Sequence, residues 1–440
     1  MPHIKWHALQ LLKMLIRLSE HIDIICNNNH KMIYNKVIGL FTEIDEIAFD
    51  FFKNIKHYYK TLKEIVREFQ EIYDISEEEL LCDIMPLINQ FNKEGIVQIH
   101  EDIFPDFLTL ELTKQCNERC VHCYIPINIR NIKNEISFSK IKKIITDFVE
   151  NGGKEIRLTG GEVMVSKNFR PTVRLARSLN LQIQIFSNLL NMTAEMARFL
   201  SENNVKYIQT SLYGSIPRIH DSITKTKGSF IKTLNGIDLL IKEKIEVKAV
   251  CVLMKKNVDD FLNIIKLIKQ KKCEIGIETM LFKSYENYYE NTEERLTIDE
   301  LKNTFLRLKS YDKNLFMDII KIRSIDKMLA NADFLTSPSC DGHTSIYITA
   351  DGKMVICPLL QNKPIGNIDE NSIKEAMQSS SSLEILNINS CDFKQCLMCQ
   401  AYDYCKFCIG LSYNETGNFI QPVPHWCQQA FMLKQLAEEN

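Results

Sequence analysis

The chain has 440 residues, a formal net charge of −2 and a hydrophobic fraction of 45%. This length suits two or three domains, and the mixed charges carry no strong signal for nucleic-acid or anionic-membrane binding. No run of roughly 18 apolar residues indicates a membrane span, and the amphipathic N-terminus, interrupted by His7, Lys13 and Arg17, is unlike a signal peptide. We therefore expect a cytoplasmic protein with no nucleic-acid and no membrane partner.

Residues 1–100 are predicted to form a small unit of their own. An amphipathic helix is expected within residues 1–20, followed by short strands at Asp23–Cys26, Met32–Tyr34 and Val37–Phe41. Three helices are predicted to follow. The first is expected to begin at Thr42, with Asp45 three residues later, and the second is indicated by the apolar spacing of Leu62, Ile65, Val66 and Phe69. The third begins with the capping pair Ser76 and Glu79, and its apolar face is Leu80, Ile84, Leu87, Ile88 and Phe91. A last strand is expected at Ile96–Ile99. Strands followed by three helices outline a winged-helix domain.

Residues 101–335 are predicted to form a second domain in which strands and helices alternate. The expected strands are Phe107–Leu112, Glu155–Leu158, Leu181–Phe186, Val205–Ser211, Glu246–Leu253 and Glu274–Met280. Amphipathic helices lie between them, and the segment 285–335 reads as a charged helical connector. Six such units predict an α/β fold, a partial (β/α)6 barrel of the TIM type, with its chemistry at the carboxyl ends of the strands.

Fifteen cysteines in a cytoplasmic protein indicate metal binding or catalysis more than disulfides. Four are scattered singly and are expected to be small buried hydrophobes, namely Cys26, Cys82, Cys251 and Cys273. The other eleven form one group within residues 116–123 and a second group from residue 340 onward.

The first group, Cys116, Cys120 and Cys123, directly follows the first predicted barrel strand. Thiolates are the ligands of iron–sulfur clusters and of zinc. Three cysteines leave a zinc site one ligand short, unless His122 supplies it, whereas an iron–sulfur cluster with one open iron needs only three. The pattern therefore favours a [4Fe–4S] cluster whose open iron can bind a small molecule.

The segment CNERCVHCY resembles the C-x3-C-x-Φ-C motif of the radical S-adenosylmethionine (AdoMet, SAM) superfamily, with His122 at the aromatic position. The resemblance implies that the amino and carboxylate groups of AdoMet chelate the open iron. It also implies that one electron from the cluster breaks a C–S bond of AdoMet and produces a 5′-deoxyadenosyl radical. Further residues that the resemblance assigns to AdoMet are Gly160, Gly161, Glu162, Ser187, Asn188, Ser211 and Lys225, of which Glu162 would bind the ammonium group and Lys225 the carboxylate.

The second group lies in residues 336–440 and resembles the SPASM extension of radical SAM enzymes, which holds two auxiliary [4Fe–4S] clusters. The resemblance assigns Cys340, Cys357 and Cys408 to the first auxiliary cluster, and Cys396, Cys399, Cys405 and Cys427 to the second. For Cys391 three possibilities remain: it is the fourth ligand of the first auxiliary cluster, it donates a hydrogen atom in catalysis, or that cluster keeps an open iron. Zinc ribbons are the alternative for this region, because C-x2-C pairs are common zinc ligands.

The N-terminal unit resembles, in outline, the PqqD-like element that recognises leader peptides in enzymes maturing ribosomally made peptides. This three-part plan is similar to that of sactipeptide and ranthipeptide thioether synthases. It implies a peptide maturase that installs a thioether crosslink, with a precursor peptide bound through its leader and a flavodoxin- or ferredoxin-type electron donor as partners. A peptide epimerase or a sulfatase-maturase-like side-chain oxidase is the alternative from the same chemistry. A non-catalytic binding module stabilised by zinc is the alternative from another class.

Overall fold

A computed structural model describes most of the chain as two compact units, Met1–Ile103 and Phe104–Asn440. The described residues are 15–19, 22–27, 30–36, 39–56, 60–73, 80, 84, 87–88, 90–92, 94–100, 104–130, 135–284, 290–320, 345–386, 388, 393–397, 399–405 and 407–439. Several residues named in the sequence analysis lie outside these ranges, among them His7, Lys13, Val37, Ser76, Glu79, Cys82, Cys340 and Cys391. No helix in the described ranges combines the length and the apolar composition that crossing a membrane requires.

The first unit contains two three-stranded sheets with helices packed on them. Its described elements are β1 (Leu15–Leu18), β2 (Ile22–Asn27), β3 (His30–Asn35), β4 (Leu40–Glu43), α1 (Glu46–Asn54), β5 (Lys60–Thr61), α2 (Leu62–Ile72) and β6 (Val97–His100). One sheet has the order β5-β1-β6 and the other the order β2-β3-β4. The elements follow the predicted order with two additional short strands, and the winged-helix description stays a prediction.

Two local predictions in this unit are wrong. Residues 15–18, expected to be helical, form β1, because they pair with β6 in the register Ile16↔Ile99 and bury alternate side chains. The first helix begins after Asp45 and not at Thr42: the Asp45 side chain accepts a hydrogen bond from the Ala48 N–H at 2.7 Å. Thr42 instead pairs with Ile33 within the sheet.

The core of the first unit agrees with the predicted helical faces. The buried residues that the sequence placed on the second and third helices are Leu62, Ile65, Val66, Phe69, Leu80, Ile84, Ile88 and Phe91. They pack with Phe51 and Phe52 of α1 in one apolar cluster. This burial, and not local propensity, provides most of the stability of such short helices.

The second unit is built on one nine-stranded sheet. The strands are β7 (Phe107–Glu111), β8 (Glu155–Thr159), β9 (Gln182–Phe186), β10 (Tyr207–Ser211), β11 (Glu246–Val252), β12 (Glu274–Glu278), β13 (Ser345–Ile348), β14 (Lys353–Val355) and β15 (Gly366–Asn367). Their order in the sheet is β12-β11-β10-β9-β8-β7-β13-β14-β15. The six strands β7 to β12 are parallel and adjacent in chain order, which confirms the predicted partial barrel.

Helices connect the barrel strands and cover the sheet. The helices are α3 (Ile127–Arg130), α4 (Phe138–Glu150), α5 (Phe169–Ser178), α6 (Ala194–Glu202), α7 (Pro217–Thr224), α8 (Ser229–Lys242), α9 (Phe261–Gln270), α10 (Ile298–Tyr311) and α11 (Lys313–Ile320). In α4, the Ser137 side chain caps the first turn, and Ile141, Ile144 and Phe148 are buried. The described part of the connector 285–335, residues 290–320, contains α10 and α11.

The cysteine-rich region adds helices and also extends the sheet, which the sequence analysis did not predict. Its helices are α12 (Ile373–Met377), α13 (Ser380–Leu386), α14 (Lys394–Leu397), α15 (Ile409–Thr416) and α16 (Pro424–Glu438). β13 pairs in parallel with β7 in the register Ile346↔Leu108, and β14 and β15 continue the sheet in antiparallel fashion. The last helix, α16, packs with α10 and α11 in one apolar cluster.

The scattered cysteines follow the prediction only in part. Cys251 is buried in the core of the second unit, and Cys273 is half-buried against it. Cys26 is exposed, so its prediction as a buried residue is wrong. It lies near the end of β2, one residue before the pair Asn27↔His30 that joins β2 to β3.

Candidate active site

The carboxyl ends of the barrel strands up to β12, together with the loops that follow β7, β8 and β9, enclose a cavity of about 420 Å³, called here the strand-edge cavity. Residues predicted from the motifs line it: Cys116, Cys120, His122, Cys123, Gly160, Gly161, Glu162, Ser187, Asn188 and Ser211. Parallel strands bring their carboxyl ends to one edge, so motifs far apart in the sequence meet there. Lys225 is not among the lining residues.

The three cysteines of the first group are held in one half-buried loop. The Glu118 N–H donates a hydrogen bond to the Cys116 Sγ atom, and the Cys120 thiol donates one to the Glu118 carboxylate, both at 3.4 Å. Two main-chain hydrogen bonds fasten this loop to the end of α7, from the Arg119 N–H to Thr224 and from the Val121 N–H to Ile223.

The electrostatics of the loop fit a metal cluster. Burial raises the pKa of Cys116 to about 12 and that of Cys120 well above its usual value, so the thiols stay protonated unless a cationic group stabilises the thiolates. Ligands of one zinc ion lie about 2.3 Å from it. No three His, Cys, Asp or Glu side chains in the described ranges converge on one such point.

The two glycines are required by the backbone of the cysteine loop. A Cβ atom on Gly160 would lie 2.5 Å from the Thr113 carbonyl oxygen, and one on Gly161 would collide with the Gln115 carbonyl oxygen. The Gly161 N–H donates to Thr113 at 2.8 Å, and the Glu162 N–H donates to Gln115 at 2.7 Å. The loop after β8 is thereby joined directly to the loop after β7.

Glu162 is an almost fully buried carboxylate, 1% exposed, in the cavity wall. Its Oε1 atom accepts hydrogen bonds from the Met164 N–H at 3.0 Å and the Ser187 hydroxyl at 2.7 Å, and its Oε2 atom accepts one from the Asn188 N–H at 2.7 Å. Burial nevertheless raises the pKa of Glu162. A cationic ligand in the cavity would lower this pKa again, so the site fits an ammonium group.

Polar residues that follow β9 and β10 contact the cysteine loop and one another. The Asn188 side-chain amide donates to Asn117 of the cysteine loop at 2.7 Å. The His122 Nε2 atom lies 3.1 Å from the Tyr213 hydroxyl, and burial lowers the pKa of His122 to about 4, so its ring is neutral at physiological pH. His220 accepts a hydrogen bond from the Tyr213 N–H at 3.2 Å, and burial also lowers its pKa to about 4.

Lys225 is the predicted cofactor residue that the structure does not bring to the others. It is an exposed residue with φ 56° at the end of α7, and its neighbour Asp221 caps α8 by accepting hydrogen bonds from the Gly228 and Phe230 N–H groups. The assignment of Lys225 to the AdoMet carboxylate stays a prediction.

Sequence reasoning missed three charged residues of the cavity wall, Glu118, Arg130 and Glu278. Glu278 ends β12, so the rule that places chemistry at the carboxyl ends of strands could have identified it. Arg130 lies seven residues after Cys123 in a segment without a motif, and no sequence signal indicated it.

Comparison with known proteins agrees with this geometry. Residues 110–268 match the Radical SAM superfamily, and residues 340–408 match SPASM, an iron-sulfur cluster-binding domain. This chain belongs to the radical SAM superfamily. It is an enzyme of that superfamily with a SPASM domain, it binds AdoMet and a [4Fe–4S] cluster, and its SPASM domain binds auxiliary iron–sulfur clusters. The alternative of a zinc-stabilised, non-catalytic module is therefore wrong.

Three similar proteins align with most of the length of this radical SAM enzyme. The Sporulation killing factor maturation protein SkfB of Bacillus subtilis is 26% identical over 88% of this chain and 92% of its own length. The Antilisterial bacteriocin subtilosin biosynthesis protein AlbA of Bacillus subtilis is 24% identical over 81% of this chain and 82% of its own. The structure of Streptococcus suis SuiB bound to precursor peptide SuiA matches with a TM-score of 0.58 and 14% identity, over 94% of this chain and 100% of SuiB.

In the SPASM domain, the fold brings together cysteines that are distant in the sequence. A Cβ atom on Gly410, two residues after Cys408, would lie 2.8 Å from the Cys357 Sγ atom. Burial raises the pKa of Cys427, and the nearby Cys399 thiol adds to the effect. These proximities are compatible with the predicted ligand sets, in which Cys357 and Cys408 share one cluster and Cys399 and Cys427 the other. The ligand assignments stay predictions.

Proposed function

We propose that this radical SAM enzyme is a peptide maturase that installs a thioether crosslink in a ribosomally synthesised precursor peptide. The observation that carries the proposal is that similarity to peptide-maturing proteins extends beyond the barrel. SkfB, named for maturation of a killing factor, aligns over 88% of the chain. SuiB, solved with a precursor peptide, matches over 94% of it, so the match includes most of Met1–Ile103.

The first unit offers an exposed sheet edge on which a leader peptide could bind. β4 is an outer strand of the sheet β2-β3-β4, and all four of its residues are exposed. Leu40 and Phe41 are each 55% exposed, and the Phe41 ring stacks on Tyr34 with centroids 4.4 Å apart. An unpaired strand edge with apolar side chains favours addition of a peptide strand, in which main-chain hydrogen bonds give affinity and side chains give specificity.

The chemistry of a thioether requires both an initial radical and an electron acceptor. When bound, AdoMet and its cluster supply the 5′-deoxyadenosyl radical that takes a hydrogen atom from a carbon of the peptide. Joining that carbon to a cysteine sulfur also releases a proton and an electron. Tyr124 lines the strand-edge cavity, hydrogen bonds to Tyr347 and lies in the electrostatic field of Cys357, so it connects the cavity with a predicted ligand of an auxiliary cluster.

The proposal is tested with the reconstituted full-length enzyme, AdoMet, a flavodoxin- or ferredoxin-type electron donor and a cysteine-containing precursor peptide encoded beside the gene. We expect a product that has lost the mass of two hydrogen atoms and in which one cysteine no longer reacts with alkylating reagents. A product of unchanged mass with an inverted residue would indicate an epimerase. A carbonyl product that reacts with hydrazine would indicate a side-chain oxidase.

Leader binding has a separate test. Replacing both Leu40 and Phe41 with Asp should weaken precursor binding at least tenfold, because two apolar side chains that the leader would bury become charged. The matched control is Ile72→Asp, another exposed apolar residue of the same unit but outside this sheet. Hydrogen exchange of residues 40–43 should slow when the leader is added. Unchanged binding by the double variant, with unchanged exchange, would contradict the role of β4.

A further inference from the structure

Arg130 is a buried cation for which the described part of the chain provides no anionic partner. It is the last residue of α3, it is 8% exposed, and it lines the strand-edge cavity. Its Nε atom has no hydrogen-bond partner, and no acidic side chain in the described ranges forms an ion pair with it. The following residues 131–134, Asn-Ile-Lys-Asn, contain no acidic residue either.

Such an arrangement is unfavourable unless a ligand completes it. Burial of an unpaired charge costs several kcal/mol even after the protein has relaxed. Lysine or histidine can escape this cost by losing a proton, but the guanidinium group of arginine cannot. A buried arginine that faces a cavity therefore indicates an anion in the functional complex, and its planar fork suits a carboxylate in particular.

The cavity places Arg130 together with the cysteine loop. Cys116, Cys120 and Cys123 share the lining of the strand-edge cavity with Arg130. A carboxylate bound in this cavity next to the cysteines that would hold the cluster would therefore have a guanidinium group in the same wall.

The cavity also contains a counterpart of opposite charge. Glu162 is buried in the same wall and suits an ammonium group, so the two side chains together match the two charges of an amino acid. The resemblance to the family assigned the carboxylate to Lys225, but that residue is exposed and lies outside the cavity lining.

We propose that Arg130 binds the carboxylate of the methionine moiety of AdoMet and so replaces, from α3, the cation that the family motif places after α7. This inference rests on AdoMet binding and is independent of the proposed peptide substrate. Arg130 and Glu162 would then hold the carboxylate and the ammonium group of AdoMet from two different loops. The position of the sulfonium relative to the cluster would depend on both.

The test measures the affinity of AdoMet for the reconstituted enzyme with its clusters intact. Arg130→Gln should weaken AdoMet binding at least tenfold, the effect of losing one charge-assisted hydrogen bond to a buried group. Decarboxylated AdoMet, which lacks the interacting group, should bind equally to the wild type and to this variant. Arg130→Lys should give an intermediate affinity, because it keeps the charge and loses the fork.

Two further variants provide controls. Arg119→Gln makes the same substitution at an exposed position of the same cysteine loop and should leave the affinity unchanged. Lys225→Gln tests the rival residue and should also leave it unchanged. Iron content and circular dichroism would show whether the Arg130 variants keep their clusters and fold, and Arg130→Lys keeps the test valid if Arg130→Gln does not.

Three outcomes would overturn the inference. One is an unchanged AdoMet affinity in both Arg130 variants. Another is an equal loss of affinity for AdoMet and decarboxylated AdoMet, which would mean that the guanidinium does not act through the carboxylate. The third is a loss of affinity for the precursor peptide alone, which would assign Arg130 to a carboxylate of the substrate.

Discussion

The two cysteine groups of this protein are assembled in different ways. Cys116, Cys120 and Cys123 lie in one loop of eight residues, and all three line the strand-edge cavity. The cysteines of the SPASM domain are spread from residue 340 to residue 427. There, tertiary packing brings Cys357 against Gly410 and Cys427 close to Cys399.

This difference has consequences for how each region responds to substitution. In the barrel, the ligand set depends on local spacing, and the surrounding loops are joined to it by hydrogen bonds between neighbouring strands. In the SPASM domain, the sulfur positions depend on contacts between helices and turns that are distant in the sequence. We therefore expect all-or-none effects at the first group and graded effects at the second.

The largest effect is expected from replacing Cys116, Cys120 and Cys123 together with Ala. The variant should form no 5′-deoxyadenosine, because the open iron that binds AdoMet is lost, while the iron of the auxiliary clusters remains. Product formation by chromatography and iron analysis test this prediction. The exposed Cys26→Ser variant is the control and should behave as the wild type. Continued cleavage of AdoMet by the triple variant would refute the assignment of the first group.

The next effect concerns Glu162. Replacing it with Ala removes the group that would bind the ammonium of AdoMet and leaves the Ser187 hydroxyl and the Asn188 N–H without their acceptor. We expect AdoMet binding to weaken about tenfold or more with the first cluster still present. Equilibrium binding measures this change, and Glu202→Ala on the surface of α6 is the control. An unchanged dissociation constant would remove Glu162 from the AdoMet site.

A graded effect is expected at Gly410 of the SPASM domain. Alanine would place a Cβ atom 2.8 Å from the Cys357 sulfur, although alanine by itself favours the helix α15 by about 1 kcal/mol. Gly410→Ala should therefore lower the occupancy of one auxiliary cluster while AdoMet cleavage continues. Gly417→Ala is the comparison for a variant that strains the backbone without touching a cysteine: the φ of Gly417 is +76°, and its Cβ atom would meet no neighbour within 4 Å, so this variant should lose stability but keep its iron. Iron analysis and electron paramagnetic resonance measure the occupancy of the auxiliary clusters. Full iron content in Gly410→Ala would contradict the prediction.

The smallest effect is expected at Glu111, where the two regions meet. This carboxylate is 0% exposed and accepts a hydrogen bond from the Ala350 N–H at 3.0 Å. Burial raises its pKa to about 7; the Ala350 N–H and the charge of Lys114 oppose this rise, and Asp351 adds to it. Tyr124 of the strand-edge cavity in turn lies in the electrostatic field of Glu111.

The sign of the resulting pH dependence follows from this raised pKa. Below pH 4.5 the carboxyl group is protonated in both the folded and the unfolded state. Between about pH 4.5 and pH 7 it is ionised in the unfolded chain but still protonated in the folded protein, so the free energy of unfolding falls as the pH rises. The full cost above pH 7 is about 3 kcal/mol. Glu111→Gln avoids it, so its unfolding temperature should exceed that of the wild type by a few degrees at pH 8 and by less at pH 5. A difference that does not depend on pH would contradict this account.

The sequence predicted the barrel well because its signals are repeated and independent. Each of the six strands was a separate apolar segment, and four cofactor motifs followed consecutive strands. The strand at residues 15–18 was missed because a short apolar run fits either helix or strand, and its pairing with β6 is a tertiary contact. The pairing of β13 with β7 was missed for the same reason.

The candidate site was predictable only where a motif carried it. Ten motif residues line the strand-edge cavity, but Arg130 has no sequence signal, since its importance comes from burial without a partner. Lys225 was assigned by position in a motif, and its exposure at the end of α7 shows that the position does not bring it to the cavity. Whether a charged side chain lies in the cavity or in solvent depends on its burial in the folded protein, and the sequence alone does not give that burial.

The parallel pairing of β7 with β13 has a consequence for the order of events during synthesis. β7 is the first strand of the barrel, but its outer neighbour is contributed by residues that emerge from the ribosome much later: Glu111 and Ala350, which hydrogen bond to each other, are 239 positions apart. A nascent chain with a finished barrel therefore still presents the unpaired edge of β7, a surface prone to aggregation. This high contact order predicts slow final folding, and polypeptides that end before residue 345 should accumulate as insoluble material.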